Sequence, residues 1–144
     1  PDGDGGVSLS ANLKEAIKTR AGTQAGLTAL IGTNPVRFWN VMAPQNTTAT
    51  VYATFQIISM ERIHVMGRDS LGRARIQIDS WGPTRETAEN VNAQVVPAFN
   101  RWGGTVAGVV VKDTITLSEG IDVQPDEISL IPRVTSEFEC IFEL

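Results

Sequence analysis

The chain has 144 residues, which is about the length of one domain, and its 16 acidic and 12 basic residues give a net charge of −4. Its single cysteine, Cys140, and single histidine, His64, exclude an intrachain disulfide and a Cys/His zinc site, and no apolar run approaches the ~20 residues of a membrane helix. Charged residues make up only 19% of the chain, against about 25% in an average domain, which predicts a surface that is partly uncharged or covered by another chain.

The first third of the sequence predicts a flexible arm and two short helices. Residues 1–7 are small and acidic and form the arm, with no secretory signal. Ser8 or Ser10 caps the first helix, and a second helical turn ends at Gly32. The first helix has an apolar face at helical spacing, formed by Leu9, Leu13, Ala16, Ile17 and Ala21.

The next segment predicts β-structure. Residues 36–41 form a short strand, and the polar stretch 42–50 forms a loop. Two β-prone runs, 51–65 and 73–81, flank the glycine-bounded turn 67–72. The sequence therefore predicts a β-hairpin.

A long amphipathic helix over 85–100 follows the hairpin. Thr84 is a good N-cap, and Pro97 predicts a kink or an early end. The apolar face of this helix consists of Ala88, Val91, Val95, Ala98 and Phe99.

The C-terminal part predicts a strand over 106–117, an acidic loop over 118–127 and a final alternating strand from Arg133. The resulting order, α-β-β-β-α-β-β, predicts a single α+β domain. In this fold, helices pack on one face of a mainly antiparallel sheet.

Catalytic and cofactor-binding patterns are weak. Ser70 stands in a glycine-bounded turn with His64 nearby, but Arg68 occupies the place of the first glycine of a nucleophile elbow, and the turn joins two strands. A small hydrolase acting through His64 and Ser70 is therefore the less favoured alternative. Cys140 lies on the apolar face of the last strand and is interpreted as an inert core thiol. We expect no enzyme activity, metal or cofactor.

Tryptophans and clustered arginines are residues that often contact nucleic acid, but both sets have a simpler interpretation in this sequence. The tryptophans 39, 81 and 102 stand at element ends and are interpreted as core or rim residues. Basic residues cluster on the predicted hairpin and indicate either a solvated strand face or a docking surface for a protein, because four charges are few for binding a nucleic-acid backbone. These basic residues are Arg62, Arg68, Arg73 and Arg75.

The stretch 74–81 (ARIQIDSW), followed by Thr84 and its helix, resembles the tail-completion or tail-terminator proteins of long-tailed bacteriophages and gene-transfer particles. The resemblance runs in order along nearly the whole chain and includes the segment 30–32 (Leu-Ile-Gly). It also includes an aromatic strand, a Pro-containing loop and a closing strand of alternating aromatics, carried by Phe38, Trp39, Pro44, Phe138 and Phe142.

This resemblance implies that residues 8–144 form a tail-terminator-like domain and act as a non-enzymatic ring, commonly of six subunits. Such a ring caps the tail-tube protein, stops its polymerisation and meets the head-completion protein, and DNA passes through its lumen without sequence-specific binding. The implied location is the virion tail or neck, reached from the host cytoplasm during assembly, with no membrane partner. A head-completion stopper or another neck protein is the alternative.

Within this ring, the hairpin arginines are expected to face a neighbouring subunit or the tail tube. The acidic candidates for lumen or head-side charge are Glu119, Asp122, Asp126 and Glu127.

Overall fold

The computed structural model describes residues 9–33, 35–44, 51–65, 68–123 and 131–144, so the predicted arm 1–7 and the possible cap Ser8 lie outside the described residues. Three helices and six strands follow one another in this part of the chain. They are α1 (Leu9–Gly22), α2 (Ala25–Ile31), β1 (Phe38–Asn40), β2 (Tyr52–Val65), β3 (Arg68–Trp81), α3 (Arg85–Phe99), β4 (Gly104–Val106), β5 (Val109–Val123) and β6 (Arg133–Glu143).

The six strands form one sheet in the order β1-β2-β3-β6-β5-β4. Neighbouring strands are antiparallel except β1 and β2, which are parallel. Helix α1 contacts β1 at one edge of the sheet and β4 at the other, so the sheet curls around the helices. The predicted α+β domain with a mainly antiparallel sheet is confirmed.

The core lies between the helices and the concave, inner face of the sheet. Alternate residues of β3 and β6 point into it because successive strand side chains point to opposite faces. The predicted apolar face of α3 is buried throughout, which confirms the helical periodicity. The strand residues of this core include Ala74, Ile76, Ile78, Phe138, Cys140 and Phe142.

Helix α3 begins as predicted and passes through Pro97. The Thr84 side chain accepts a hydrogen bond from the Thr87 backbone N–H at 3.2 Å. The early end predicted from Pro97 is wrong, because the helix continues to Phe99. Pro97 removes only its own N–H from the last turn, and the burial of Ala98 and Phe99 holds that turn on the core.

The hairpin is tighter than its sequence suggests. The predicted turn over 67–72 is wrong, because β3 begins at Arg68 and pairs there with Val65. Gly72 lies within β3, opposite Phe142 of β6. A Cβ atom on Gly72 would lie 2.6 Å from Phe142 Cζ, so this glycine permits close contact with a ring rather than a turn.

The strand predicted over 106–117 is two strands. Val106 of β4 pairs with Val109 of β5 across a two-residue turn formed by Ala107 and Gly108. Both turn residues have positive φ angles, 51° and 80°, which is the geometry of a type I′ hairpin turn.

The acidic loop predicted over 118–127 is wrong in its first half, because β5 extends to Val123. Ser-Glu-Gly at 118–120 suggests a loop, yet Gly120 has a φ of 68° and lies in an irregular part of the β5–β6 ladder. The Gly120 N–H donates to Ser136 Oγ at 3.2 Å, and Ile121 then pairs with Thr135. Tertiary pairing overrides the local turn signal here.

Candidate functional site

Arginines of β3 pair with glutamates of β2 and β6 on the outer face of the sheet, defined as the face that points away from the helices. Arg73 Nε lies 2.9 Å from Glu61 Oε1, and Arg73 Nη1 lies 3.8 Å from Glu139 Oε1. Arg75 donates to Glu137 Oε1 through Nε at 2.8 Å and also through Nη2. Each of these arginines is therefore paired across strands with at least one carboxylate.

The structure brings together two of the four predicted arginines. Arg73 and Arg75 share the outer face, two residues apart on β3. Arg62 is exposed but stands opposite Gly72, whose face points towards the helices, so it lies on the other face of the sheet. Arg68 is the first residue of β3, and its side chain lies outside the described residues.

A shallow groove of about 230 Å³ runs across the outer face beside these pairs. Two arginines and two glutamates line it, so its walls carry no net charge. A phosphate group would have to compete with the carboxylates for both guanidinium groups, which disfavours nucleic acid as the occupant. The lining residues are Ser59, Glu61, Arg73, Arg75, Leu117 and Glu139.

Among the four predicted acidic residues, the structure describes only the side chain of Glu119. Glu119 is exposed on β5 and makes no ion pair within the described part of the chain. Asp122 is also a residue of β5, but its side chain lies outside the described residues, as do Asp126 and Glu127. Glu119 and Asp122 are thus strand residues, not loop residues.

An aromatic row on the outer face does not follow from the sequence interpretation. The ring centroids of Trp39 and Tyr52 lie 5.7 Å apart, as do those of Tyr52 and Trp81. The guanidinium carbon of Arg133 lies 5.2 Å from the centre of the Trp81 ring. Trp102 is buried in the core, whereas Trp39 and Trp81 are half-buried, in agreement with the interpretation of the three tryptophans as core or rim residues. Tyr52 and Trp81 begin and end the hairpin, so its register is the signal that predicts their contact.

Asp79 lies beside Arg133 at the end of this row. The Asp79 side chain is buried, and its Oδ1 accepts hydrogen bonds from Thr135 Oγ1 at 2.6 Å and from Gln77 Nε2 at 3.2 Å. Its Oδ2 lies 3.8 Å from Arg133 Nη1. Tryptophan, tyrosine and arginine are the residues that most often dominate protein–protein binding energy.

The described residues contain no cluster of three or more histidine, cysteine or acidic side chains able to hold a metal ion. In the same part of the chain, no helix is both long and apolar enough to cross a membrane. His64 and Ser70 belong to β2 and β3 of one hairpin, and their side chains lie outside the described residues. A nucleophile elbow requires a strand-to-helix turn, so the backbone at Ser70 does not fit one.

Cys140 lies fully buried on the inner face of β6. Burial raises the pKa of its thiol from 9.0 to about 11, because the apolar surroundings disfavour the thiolate. The thiol is therefore protonated at neutral pH, in agreement with the inert core thiol inferred from the sequence.

The buried thiol predicts a loss of stability at alkaline pH. The stabilising contribution of the protonated Cys140 thiol to the free energy of unfolding is fully present below pH 9. It is lost as the pH rises towards 11, because the thiol of the unfolded chain loses its proton at a lower pH than the thiol of the folded chain. The loss between these pH values is about 3 kcal/mol. Urea melts at pH 8, 9, 10 and 11 should show this slope in the parent chain, and Cys140→Ala should reduce it. An identical slope in both chains would contradict this prediction. Burial also raises the pKa of Tyr52, but both chains contain this tyrosine, so its titration cancels in the difference between the two slopes.

Comparisons with known proteins agree with this fold. No curated relative matches the chain in sequence. A chain of the structure described as "Virion of native gene transfer agent (GTA) particle" superposes with a TM-score of 0.77 at 16% identity, covering 96% of this chain and 100% of that chain. The family described as "Tail completion protein gp17" matches residues 15–143. Since this match spans almost all of the sequence, the chain belongs to the tail completion protein gp17 family.

Proposed function

We propose that the chain forms a ring that caps the tail tube, stops its polymerisation and joins the tail to the head, with DNA passing through the lumen. The observation that carries this proposal is the family match over residues 15–143. The chain is thus a structural protein of a phage-type tail or neck, and the ring, the capping and the lumen are the proposed part. Assembly takes place in the host cytoplasm before the protein enters the particle.

The described surface supports a binding role without catalysis. The arginines of the outer face are engaged by carboxylates, so the surface offers a pattern of opposite charges to a protein partner. Alternating charges favour specificity and register more than affinity, which suits a subunit that must stop a polymer in one orientation. The hydrolase alternative lacks the elbow geometry at Ser70.

A head-completion stopper is the second candidate in the same assembly. It would dock on the head side, whereas the matched family is one of tail completion. The tail-tube end is therefore the preferred binding site. The hairpin that carries Arg68 and Arg73 is proposed to face this tube or a neighbouring subunit, and Asp122, Asp126 and Glu127 stay candidates for the lumen or the head side.

Reversing two hairpin arginines is expected to block capping. The double variant Arg68→Glu with Arg73→Glu replaces two positive charges of the hairpin by negative ones, and the new carboxylate at position 73 would lie beside Glu61 and Glu139. This change removes the pattern of opposite charges that the hairpin is proposed to offer to its partner, so docking is weakened. Particles that carry this variant should show overlong tail tubes in negative-stain micrographs and a reduced infectious or transducing titre. The far-ultraviolet circular dichroism of the purified variant should match that of the parent chain.

The control for this experiment changes the same charge elsewhere. Lys18 and Arg85 lie on the exposed faces of α1 and α3, so Lys18→Glu with Arg85→Glu should leave tail length unchanged. Tails of normal length in the hairpin variant, or overlong tails in both variants, would contradict the role given to the hairpin.

A further inference from the structure

Among the described residues, strand β2 has no pairing partner along most of its edge that faces away from β3. Strand β1 pairs only with residues 53–55 of β2, and the Val41 N–H makes the last bond, to the Phe55 carbonyl at 2.7 Å. Val41 then adopts a φ of 72°, a conformation unfavourable for a β-branched residue, and the chain leaves the sheet. Among the described residues, no strand covers the side of residues 56–63 that faces away from β3.

A groove of about 310 Å³ lies along this free edge, between the end of β1 and helix α1. Ile58 points outward at a β-bulge and is 47% exposed. Asn40 Oδ1 is buried and has no hydrogen-bond partner in the described part of the chain. Lys14 lines the groove and makes no ion pair with any described residue. The groove thus offers an apolar side chain, an unused acceptor and a positive charge.

In the same described part of the chain, strand β5 has a second free edge at the other side of the sheet. Strand β4 pairs only with residues 109–111, and Asn100 Oδ1 accepts the Thr116 N–H at 3.2 Å. Beyond that point, among the described residues, no strand pairs with residues 117–121 on the side that faces away from β6. Leu117 and Ile121 are 42% and 49% exposed, and the exposed Glu119 makes no ion pair there.

The polarity of the two edges suits a head-to-tail ring. Through the chain of pairings β2–β3–β6–β5, β2 runs antiparallel to β5, so the β2 edge of one copy and the β5 edge of the next meet as antiparallel neighbours. The free edges lie towards opposite ends of the sheet, which corresponds to the stagger of strands that tilt around a closed barrel. Contacts between two different surfaces generate rings when the rotation closes.

We propose that the free edge of β2 binds the free edge of β5 from a second copy of this chain, with Lys14 facing Glu119 across the contact. The charges are complementary, the exposed Ile58 meets Leu117 and Ile121, and the added strand brings backbone donors to Asn40 Oδ1. Both edge strands contain a β-bulge, which increases the local twist of the strand and so restricts which other strands can pair with it. This inference rests on the proposed ring, and it places Glu119 between subunits rather than in the lumen.

A charge swap tests the contact. Lys14→Glu and Glu119→Lys should each lower the fraction of ring-capped tube ends at least several-fold when the purified chain is mixed with uncapped tail tubes. The double variant Lys14→Glu with Glu119→Lys should restore most of the capping, because the ion pair is re-formed with its charges exchanged. Lys18→Glu, on the same helix but paired with Glu15, is the matched control and should cap normally.

The outcomes separate this contact from the ring itself. The edge pairing would be overturned if the single variants cap as well as the parent chain, or if the double variant caps no better than either single one. The proposed function would still stand in that case, provided that the parent chain forms rings on the tubes. A parent chain that forms no ring on the tubes would overturn the proposed function and this inference with it. Circular dichroism and thermal melts of each variant establish that the fold is intact.

Discussion

The substitution Phe99→Ala is expected to lower the free energy of unfolding by about 3–5 kcal/mol. Phe99 is 1% exposed and lies at the centre of the core. Its ring centroid is 6.0 Å from that of Phe38, 5.9 Å from that of Phe138 and 5.7 Å from that of Trp102. Truncation leaves a cavity between these rings. We expect the cavity to stay open, because Phe38 and Phe138 belong to strands β1 and β6 and cannot move into it without displacing the sheet.

Urea melts of the purified chain measure this loss directly. Asn90 lies on the exposed face of the same helix, so Asn90→Ala should change the free energy of unfolding by less than about 0.5 kcal/mol. Losses of similar size in the two variants would show that α3 does not pack through Phe99.

The second large effect is expected at Gly72, where Gly72→Ala should cost about 1–3 kcal/mol. The added Cβ would lie 2.6, 2.9 and 3.1 Å from three atoms of the Phe142 ring. That ring is fully buried, so it can move only by displacing its own neighbours. The strain should raise the unfolding rate or shift β3 against β6.

Gly22→Ala provides the matched control for this substitution. Its added Cβ would find only Val36 Cγ2, at 3.9 Å, and its φ is not in the left-handed region. The control should be neutral or stabilise the fold by up to about 1 kcal/mol, because alanine reduces the entropy of the unfolded chain. A Gly72→Ala variant as stable as the parent would mean that Phe142 does not lie against the strand.

Local periodicity was sufficient to predict α3 and the hairpin strands. The burial of Val91, Val95 and Phe99 follows from their helical spacing alone. The extension of β5 through Gly120 could not be predicted in this way, because the pairing of Ile121 with Thr135 joins residues from separate strands. Gly72 was predicted to lie in a turn because glycine is common in turns. The residue that actually requires a glycine there is Phe142, which lies far along the chain and cannot be recognised from local sequence.

The candidate surface was predicted only in part. The spacing of Arg73 and Arg75 places them on one face of a strand, but their partners Glu137 and Glu139 come from β6, which neighbours β3 through topology rather than through sequence. Arg62 needed the hairpin register to be assigned to the opposite face. The two free edges arise because β1 and β4 are short. They could not be predicted, because the boundaries of strands are the part of secondary structure that a sequence predicts least well.

The most direct test of the central claim is cryo-electron microscopy of the intact particle that contains this chain. The account predicts one closed ring of several copies, six by the resemblance to tail terminators, seated between the last ring of tail tube and the head. A single copy per particle, or copies located away from the tube end, would contradict the capping ring.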